Sequence, residues 1–216
     1  MSWELKEHTK AKHAILKRYL QSWFPIMGFS FDRILYIDGF AGPGRYSKGE
    51  DGSPIYALKI AKEIYEKHND KLKDTEFVFF FIESKKDHFE SLKYELEQLV
   101  FPKNFIIYLR NHTFQETMEE IFEYLDNKGS NLAPTFAFID PFGTKGIPFD
   151  LIKKIMSYQS CEVFINHMYS GVLRSQNISD HTELYGTKEW KKYVKIPGGL
   201  LKLYSNQLKK QAGVKY

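Results

Sequence analysis

Residues 36–46 read Tyr-Ile-Asp-Gly-Phe-Ala-Gly-Pro-Gly-Arg-Tyr, and they join an apolar segment to a glycine-rich turn. The apolar segment predicts a buried strand that ends at Asp38. The turn contains Gly39, Gly42 and Gly44, and glycine lets the backbone adopt positive φ and approach a ligand closely. A strand that stops at a carboxylate and opens into glycines indicates the entrance to a nucleotide-type pocket. The plainer alternative is a tight turn between a strand and a helix, with no ligand.

Strand-like and helix-like segments alternate through the rest of the chain. The predicted strands are Ile34–Asp38, Phe77–Ile82, Phe105–Leu109, Thr135–Ile139 and Glu162–Asn166. The predicted helices are 10–24, which Pro25 ends, 53–68, 86–99, 113–127 and 148–158. Ser53 is the predicted cap of the second helix, and Thr113 with Glu116 predicts a capping box. This alternation predicts an α/β fold with a mostly parallel sheet and helices on both faces.

Polar side chains lie at the ends of the first four predicted strands. They are Asp38, Glu83, Asn111 and Asp140. The carboxyl ends of parallel strands meet at one edge of a sheet, and ligands of open α/β folds bind there. Any one polar strand end is explained by contact with solvent, but four of them at one edge favour a binding site.

Length and composition limit the kinds of protein that this chain can be. With 216 residues, a single domain spanning 1–216 is expected. The net charge of +4 is compatible with nucleic acid binding. Cys161 is the only cysteine, which excludes an intrachain disulfide and a multi-cysteine zinc site, and the histidines lack metal-ligand spacing, so no metal is expected. Without a signal-peptide pattern or an apolar run of about 18 residues, we expect a cytoplasmic protein with no membrane contact.

The pattern Asp-x-Phe-Ala-Gly-x-Gly-x-aromatic, which begins at Asp38, resembles the first motif of S-adenosylmethionine (SAM) methyltransferases, especially those that modify nucleic acid bases. The resemblance implies that SAM is the cofactor. The implied SAM-binding residues are Asp38, Gly39, Phe40, Gly42, Gly44, Glu83 and Asn111. In this role Asp38 would accept a hydrogen bond from the cofactor's ammonium group, and Glu83 would accept from its ribose hydroxyls. Asn111 or Thr113 would hold the adenine edge.

The second motif is Asp140-Pro-Phe-Gly143, directly after the fourth predicted strand. It resembles the Asp/Asn-Pro-Pro-aromatic loop of amino-group methyltransferases. The resemblance implies that Asp140 and Pro141 accept hydrogen bonds from the target amine and that Phe142 stacks on the base. This chain departs from the pattern because Phe142 stands where the second proline is usual, which leaves the register of the stacking ring open. An ordinary Asp-Pro turn is the alternative.

The chain as a whole is similar to the three-Cys-motif partner protein family (TcmP). The motifs that carry this resemblance are Thr9-Lys-x-x-His13-x-x-Leu16-x-x-Tyr19-Leu20-x-x-Trp23, the stretch 36–46, Gly52-Ser-Pro54, Phe138-Ile-Asp-Pro-Phe-Gly143 and Tyr185-Gly-Thr-x-x-Trp190. The resemblance implies a protein partner with a three-cysteine motif of the kind that holds an iron–sulfur cluster. It does not supply a substrate.

The C-terminal part, residues 168–216, does not continue the alternation. We predict a loop-rich insertion over 168–189 and a helix over 198–212. A Rossmann-like methyltransferase sheet usually ends with two further strands in an antiparallel hairpin, and no such strands are recognisable here. Two alternatives stay open: the C-terminal edge of the sheet is abbreviated, or the natural chain continues past Tyr216.

Three functions follow from these residues. The leading hypothesis is a SAM-dependent methyltransferase that acts on an amine of a nucleic acid base. The second is a non-catalytic, methyltransferase-like module that binds a nucleotide or nucleic acid for the three-cysteine-motif partner. The third is a nuclease that holds magnesium on Asp38, Glu83 and Asp140, although such a nuclease would leave the glycine loop without a role.

Overall fold

A computed structural model of the chain describes residues 7–143, 146–167 and 169–211. The strands are β1 (Arg33–Asp38), β2 (Glu76–Ile82), β3 (Phe105–Arg110), β4 (Thr135–Ile139) and β5 (Cys161–Ile165). The helices are α1 (Glu7–Gly28), α2 (Ser53–Lys67), α3 (Asn69–Leu72), α4 (Lys86–Glu97), α5 (Phe114–Lys128), α6 (Phe149–Ser157), α7 (Tyr169–Ser175), α8 (Thr182–Tyr185), α9 (Trp190–Tyr193) and α10 (Gly199–Gln211). All five predicted strands are present, each within a residue of its predicted bounds.

The five strands form one sheet in the order β3-β2-β1-β4-β5, and every neighbouring pair is parallel. The predicted parallel α/β fold is therefore confirmed. From β1 the chain moves outward through β2 and β3, and it then returns to the other side of β1 to form β4. The strand order thus reverses between β1 and β4, which is where open α/β sheets bind their ligands.

Helices cover both faces of the sheet, because each face is apolar. On one face α1, α2 and α4 pack against the sheet through residues that include Leu16, Leu58 and Leu92. On the other face α5, α6 and the helices after β5 pack through residues that include Met118 and Trp190. Strands covered on both sides read as continuous apolar runs, which explains the sequence of β2.

Helix α1 is longer than predicted, because it continues through Pro25 to Gly28. Proline has no N–H to donate to the carbonyl four residues earlier, which is that of Gln21. Gln21 lies on the exposed side of α1, where water can satisfy this carbonyl. The Pro25 carbonyl still accepts from Phe29 N at 3.0 Å, so the last turn is kept.

The two predicted helix caps have different outcomes. Thr113 and Glu116 form the capping box at the start of α5, as predicted. The predicted Ser53 cap of α2 is wrong, because Gly52 is the N-cap and Ser53 is the first helical residue. The carbonyl of Gly52 accepts from Tyr56 N at 3.0 Å, and this bond starts the helix one residue earlier. The Ser53 side chain instead lies near the Asp38 carboxyl group and acts to lower its pKa.

The segment after β5 is more helical than predicted. The loop-rich insertion predicted over 168–189 contains α7 and α8, and their residues Val172, Leu184 and Tyr185 are buried in the core. Residues 168 and 212–216 of the predicted C-terminal part lie outside the described residues. No strand follows β5 in the described ranges 166–167 and 169–211. In the described part of the chain, no helix combines the length and apolarity needed to span a bilayer.

Candidate functional site

A cleft with two adjoining cavities opens at the carboxyl edge of the sheet, where the strand order reverses. The first cavity, of about 760 Å³, lies between α1, the glycine loop and the ends of β4 and β5. The second, of about 620 Å³, lies over the ends of β2 and β3. Phe40, Pro141 and Phe142 line both cavities. Both volumes are typical of small-molecule sites, which span roughly 300–1,000 Å³.

The glycine loop forms one wall of the first cavity, and its conformation requires glycine. Gly42 has φ of +66° and Gly44 has φ of +85°, a region that other residues enter only with strain. A Cβ atom at Gly44 would also lie 3.0 Å from Leu92 Cδ1 on α4. Gly52 N donates to Gly44 O at 2.6 Å and closes the loop. The loop is therefore a built structure and not an open linker.

Glu83 holds this loop against the end of β2. Its side chain is 5% exposed, and its two carboxylate oxygens accept from Gly42 N at 2.9 Å and from Lys85 N at 2.7 Å. The sequence predicts Glu83 as a ligand-binding residue, and Glu83 does line the second cavity. Its contact with the loop was not predicted. A carboxylate oxygen has two lone pairs, so this contact leaves acceptor capacity for a ligand hydroxyl.

Arg45 anchors the far end of the loop. Its guanidinium group contacts Asp51 at 2.7 Å, within the loop, and Glu95 of α4 at 2.6 Å. Ser91 of α4 adds a hydrogen bond from its hydroxyl to the carbonyl of Pro43 at 3.0 Å. The loop is thus fastened to α4 as well as to β2, and its glycines keep a defined position at the cleft.

Asp38 lies beneath the floor of the cleft and not on its surface. Its side chain is fully buried, and it lines neither cavity. One oxygen, Oδ1, accepts from Phe40 N at 3.3 Å, while Oδ2 has no hydrogen-bond donor among the described residues. Burial raises the pKa of Asp38 to about 7; the nearby charges of Asp140 and Glu83 act in the same direction, and the hydrogen bonds from Ser53 and Phe40 oppose it. The charges of the three predicted carboxylates therefore affect one another, although Asp38 lies outside the cavities that Glu83 and Asp140 line.

Asn111 lies at the same edge of the sheet but outside both cavities. Its amide Nδ2 donates to the carbonyls of Glu83 at 2.8 Å and Ser84 at 3.2 Å. These bonds tie the end of β3 to the turn after β2. Thr113, the alternative residue for the adenine edge, does line the second cavity.

Asp140 is held from two sides by residues that are not among the predicted site residues. Lys12 of α1 forms an ion pair with Oδ2. Asn166, directly after β5, donates from Nδ2 to Oδ1 at 2.7 Å. Asn166 could have been found, because it is a further polar side chain at a strand end. Lys12 has no comparable signal, because its contact with Asp140 crosses 128 residues of sequence.

Pro141 and Phe142 continue the wall of the cleft from Asp140. Pro141 is buried, whereas the Phe142 side chain is 61% exposed at the boundary of the two cavities. Lys85 Nζ lies 5.7 Å from the centre of the Phe142 ring. An exposed ring with a cation beside it suits a flat ligand with phosphate groups.

Two histidines of the first cavity are held in their neutral form. Burial lowers the pKa of His13, on α1, to about 4, although the charge of Asp140 opposes this shift. Its ring contacts those of Tyr46 and Tyr56, with centroids 5.8 and 5.3 Å away. Burial also lowers the pKa of His167, whose Nε2 is 2.8 Å from the Tyr185 hydroxyl. These histidines add polarity to the cavity without adding charge at neutral pH.

In the described part of the chain, neither a metal-binding cluster nor Cys161 belongs to the cleft. Among residues 7–143, 146–167 and 169–211, no group of three or more His, Cys, Asp or Glu side chains is placed to hold a metal ion. The magnesium nuclease thus stays a hypothesis without a supporting observation. Cys161 is half-buried, and its Sγ lies 3.6 Å from the carbonyl of Ala133. It lies outside both cavities.

Comparisons with known proteins add little to this geometry. No protein-family profile matches the chain, and no curated protein matches it. Among the solved structures, seven chains match. One of them is the plantazolicin methyltransferase BamL in complex with a triazolic desmethylPZN analog and SAH, at 14% identity and a TM-score of 0.35, over 94% of this chain and 68% of that chain. A likeness at this TM-score carries no weight for the function of this chain.

Proposed function

We propose that this protein is a SAM-dependent methyltransferase that acts on an amine of a nucleic acid base. The observation that carries the proposal is the two-cavity cleft at the reversal of strand order. One wall of that cleft is the glycine loop, which Glu83 holds in place, and the opposite wall is Asp140-Pro-Phe142. This arrangement offers a binding place for a cofactor and, next to it, acceptors for a target amine.

The two cavities suit the two ends of SAM. The second cavity has apolar walls from Phe40, Ile82 and Phe114, which fit an adenine ring, and Glu83 lies beside them to accept from ribose hydroxyls. The first cavity contains the charged pair Lys12 and Asp140, which fits a zwitterionic amino-acid group. When bound, SAM supplies an electrophilic methyl group, which would lie near the wall shared by the two cavities.

The residues of the opposite wall would orient the target. Asp140 and the carbonyl of Pro141 would accept the N–H groups of the amine, which directs the nitrogen lone pair toward the methyl group. The exposed ring of Phe142 would stack on the base, and Lys85 beside it would contact a phosphate. These two side chains are the reason that we favour a nucleic acid base over a small amine.

The resemblance to the three-Cys-motif partner protein family leads us to propose a partner as well. That partner is a three-cysteine-motif protein with an iron–sulfur cluster, and the complex would act in the cytoplasm. Co-purification of tagged protein with such a partner would support this part of the proposal. The methyltransferase proposal does not depend on it.

Calorimetry with SAM tests the proposal, with two glycine variants as a matched pair. Gly44 and Gly49 have nearly equal φ, +85° and +86°, so valine strains the backbone at both positions. At Gly44 the added side chain would press on Leu92 and displace the loop, whereas at Gly49 an added Cβ would meet no atom within 4 Å among the described residues beyond its chain neighbours. We expect the unaltered protein and Gly49→Val to bind SAM, and Gly44→Val to lose binding by at least about tenfold. Absence of SAM binding by the unaltered protein contradicts the proposal.

A non-catalytic binding module is the second candidate, and one observation favours it. Both oxygens of Asp140 already have partners, Lys12 and Asn166, so a target amine would meet an acceptor that is in use. Transfer of labelled methyl groups from SAM to DNA, RNA or the partner protein distinguishes the two functions. Transfer to any of them supports the enzyme, and SAM binding without transfer to any of them supports the module.

A further inference from the structure

The ion pair of Lys12 and Asp140 lies inside the first cavity and largely out of water. The side chains of Lys12 and Asp140 are 18% and 16% exposed. Lys12 belongs to α1, before the sheet begins, and Asp140 follows β4. The pair therefore bridges the cofactor side and the target side of the proposed site.

Lys12 is the cation that an anionic group in this cavity would meet. Among the described residues that line the first cavity, the other permanent cation is Arg45, whose guanidinium group is bound to Asp51 and Glu95. His13 lies beside Lys12 and is neutral, because burial lowers its pKa to about 4. An anionic ligand group would thus bind at Lys12 and compete with Asp140 for it.

The charges of the pair select the kind of ligand that can enter. A ligand that is only anionic would draw Lys12 away and leave the Asp140 carboxylate uncompensated. A ligand that is only cationic would draw Asp140 away and leave Lys12 uncompensated. Either outcome is costly, because it leaves a largely buried charge without its partner. A zwitterion avoids both costs, since it brings one charge of each sign.

We propose, on the basis of the function above, that the Lys12–Asp140 pair recognises the amino-acid end of SAM and thereby makes Asp140 ready for the target amine. In the complex, Lys12 Nζ would leave Oδ2 of Asp140 and hold the cofactor carboxylate, with the positive charge of the cofactor near Asp140 in place of Lys12. Oδ2 would then be left to accept from the target amine, while Oδ1 would keep its bond from Asn166. Lys12 is a cofactor-binding residue in this scheme, and the cofactor must bind before the target.

Three ligands that differ at the amino-acid end test this inference in the unaltered protein. They are SAM, decarboxylated SAM, which keeps the ammonium group, and 5′-methylthioadenosine, which has neither charged group. We expect calorimetry to show SAM binding at least about tenfold more tightly than decarboxylated SAM, as is typical for the loss of one charged hydrogen bond. Equal affinity for SAM and decarboxylated SAM would overturn the inference while leaving the proposed function intact.

A lysine variant and its control locate the effect. Lys12→Met should bind SAM and decarboxylated SAM equally, and its affinity for 5′-methylthioadenosine should stay within about twofold of the unaltered protein. Lys10→Met removes the same charge from the same helix outside the cavity and should keep the full preference for SAM. Equal weakening of all three ligands by Lys12→Met would indicate a structural role and overturn the inference.

Two results would limit or end these tests: an unfolded Lys12→Met variant, or no ligand binding by the unaltered protein. If Lys12→Met does not fold, the ligand series on the unaltered protein decides alone. If the unaltered protein binds none of the three ligands, the proposed function fails, and this inference fails with it.

Discussion

Asp38 differs from the other carboxylates of the cleft in its surroundings. Asp140 and Glu83 each have donors on both oxygens, whereas Asp38 is fully buried and its Oδ2 has no donor in the described part of the chain. Water solvates an ionised carboxylate far better than a protein interior does, so burial favours the protonated form. This is the physical cause of the raised pKa of Asp38, about 7 instead of 3.8.

The raised pKa predicts a stability that depends on pH through Asp38. In the unfolded chain Asp38 loses its proton near its ordinary pKa of 3.8, but in the folded protein it keeps it to about 7. Between these values the unfolded state binds fewer protons, so the free energy of unfolding falls as pH rises, and above about 7 the loss is complete. We therefore compare the free energy of unfolding of Asp38→Asn with that of the unaltered protein. We expect this difference to shift in favour of Asp38→Asn by roughly 4 kcal/mol as the pH rises from about 4 to about 8. Urea unfolding of both proteins across this range measures the difference.

His13 titrates in the same pH range, and its effect on the free energy of unfolding has the opposite dependence on pH. Its folded pKa of about 4 lies below the ordinary value of 6.5, so its contribution to stability is present above 6.5 and is lost as pH falls toward 4. Both proteins in the comparison contain His13, and its contribution therefore cancels in the difference between them. A difference in unfolding free energy that stays constant with pH would show that Asp38 is ionised in the folded protein.

At the scale of elements, the glycine loop depends on bonds from outside itself. Glu83 at the end of β2 and Arg45 with Glu95 of α4 hold its two ends. The loop residues supply the positive φ angles, but they do not supply these anchors. The shape of the cleft wall is thus a property of β1, β2 and α4 together.

Glu83→Ala should loosen the glycine loop. It leaves the buried N–H of Gly42 without its acceptor, which costs about 1–3 kcal/mol. We expect faster amide hydrogen exchange across residues 39–52 and loss of SAM binding. Glu76→Ala is the control, because Glu76 begins β2, the strand that Glu83 follows, but pairs with Arg33 at the surface, where an ion pair contributes at most about 1 kcal/mol. Unchanged exchange at Gly42 in Glu83→Ala would show that the carboxylate does not hold the loop.

For the whole molecule, the helices after β5 complete one face of the core. Trp190 and Tyr204 are buried in the same cluster as Ile139 of β4 and Ile152 of α6. His167 and Tyr169, also after β5, line the first cavity. The packing of this segment is therefore coupled to the shape of the cleft.

Gly186→Ala should weaken the attachment of this segment to the sheet. Gly186 ends α8 with φ of +64°, and a Cβ atom there would lie 2.7 Å from Phe149 Cδ1. Gly198 has φ of +67°, and a Cβ atom there would meet no atom of the described structure within 4 Å beyond its chain neighbours, so Gly198→Ala adds the backbone strain without the clash. We expect the free energy of unfolding to fall by about 2–5 kcal/mol in Gly186→Ala and by about 1–2 kcal/mol in Gly198→Ala, as measured by urea unfolding. Equal losses would show that Phe149 moves aside freely.

Much of the fold was predictable because its signals are local. The apolar run before Asp38, the glycines after it and the Thr113 capping box each act over a few neighbouring residues, and each formed as expected except at the bounds. Two predictions were wrong: the end of α1 at Pro25 and the N-cap of α2 at Ser53. At both positions the structural surroundings outweighed the local preference of the residue. Gln21 lies on the exposed side of α1, and the carbonyl of Gly52 starts α2 one residue before Ser53 is reached.

The local sequence pattern thus determined the succession of strands and helices along the chain and the residues at the strand ends. Backbone geometry and apolar periodicity depend on near neighbours, which is why these features could be predicted. The contacts that shape the site depended on long-range packing. Glu83 meets Gly42 across 41 residues, and Lys12 meets Asp140 across 128. The periodicity of a sequence does not indicate which distant residues will meet, because these contacts follow from how the helices and strands pack. The charge state of Asp38 likewise follows from its burial beneath the loop and not from its place in the motif.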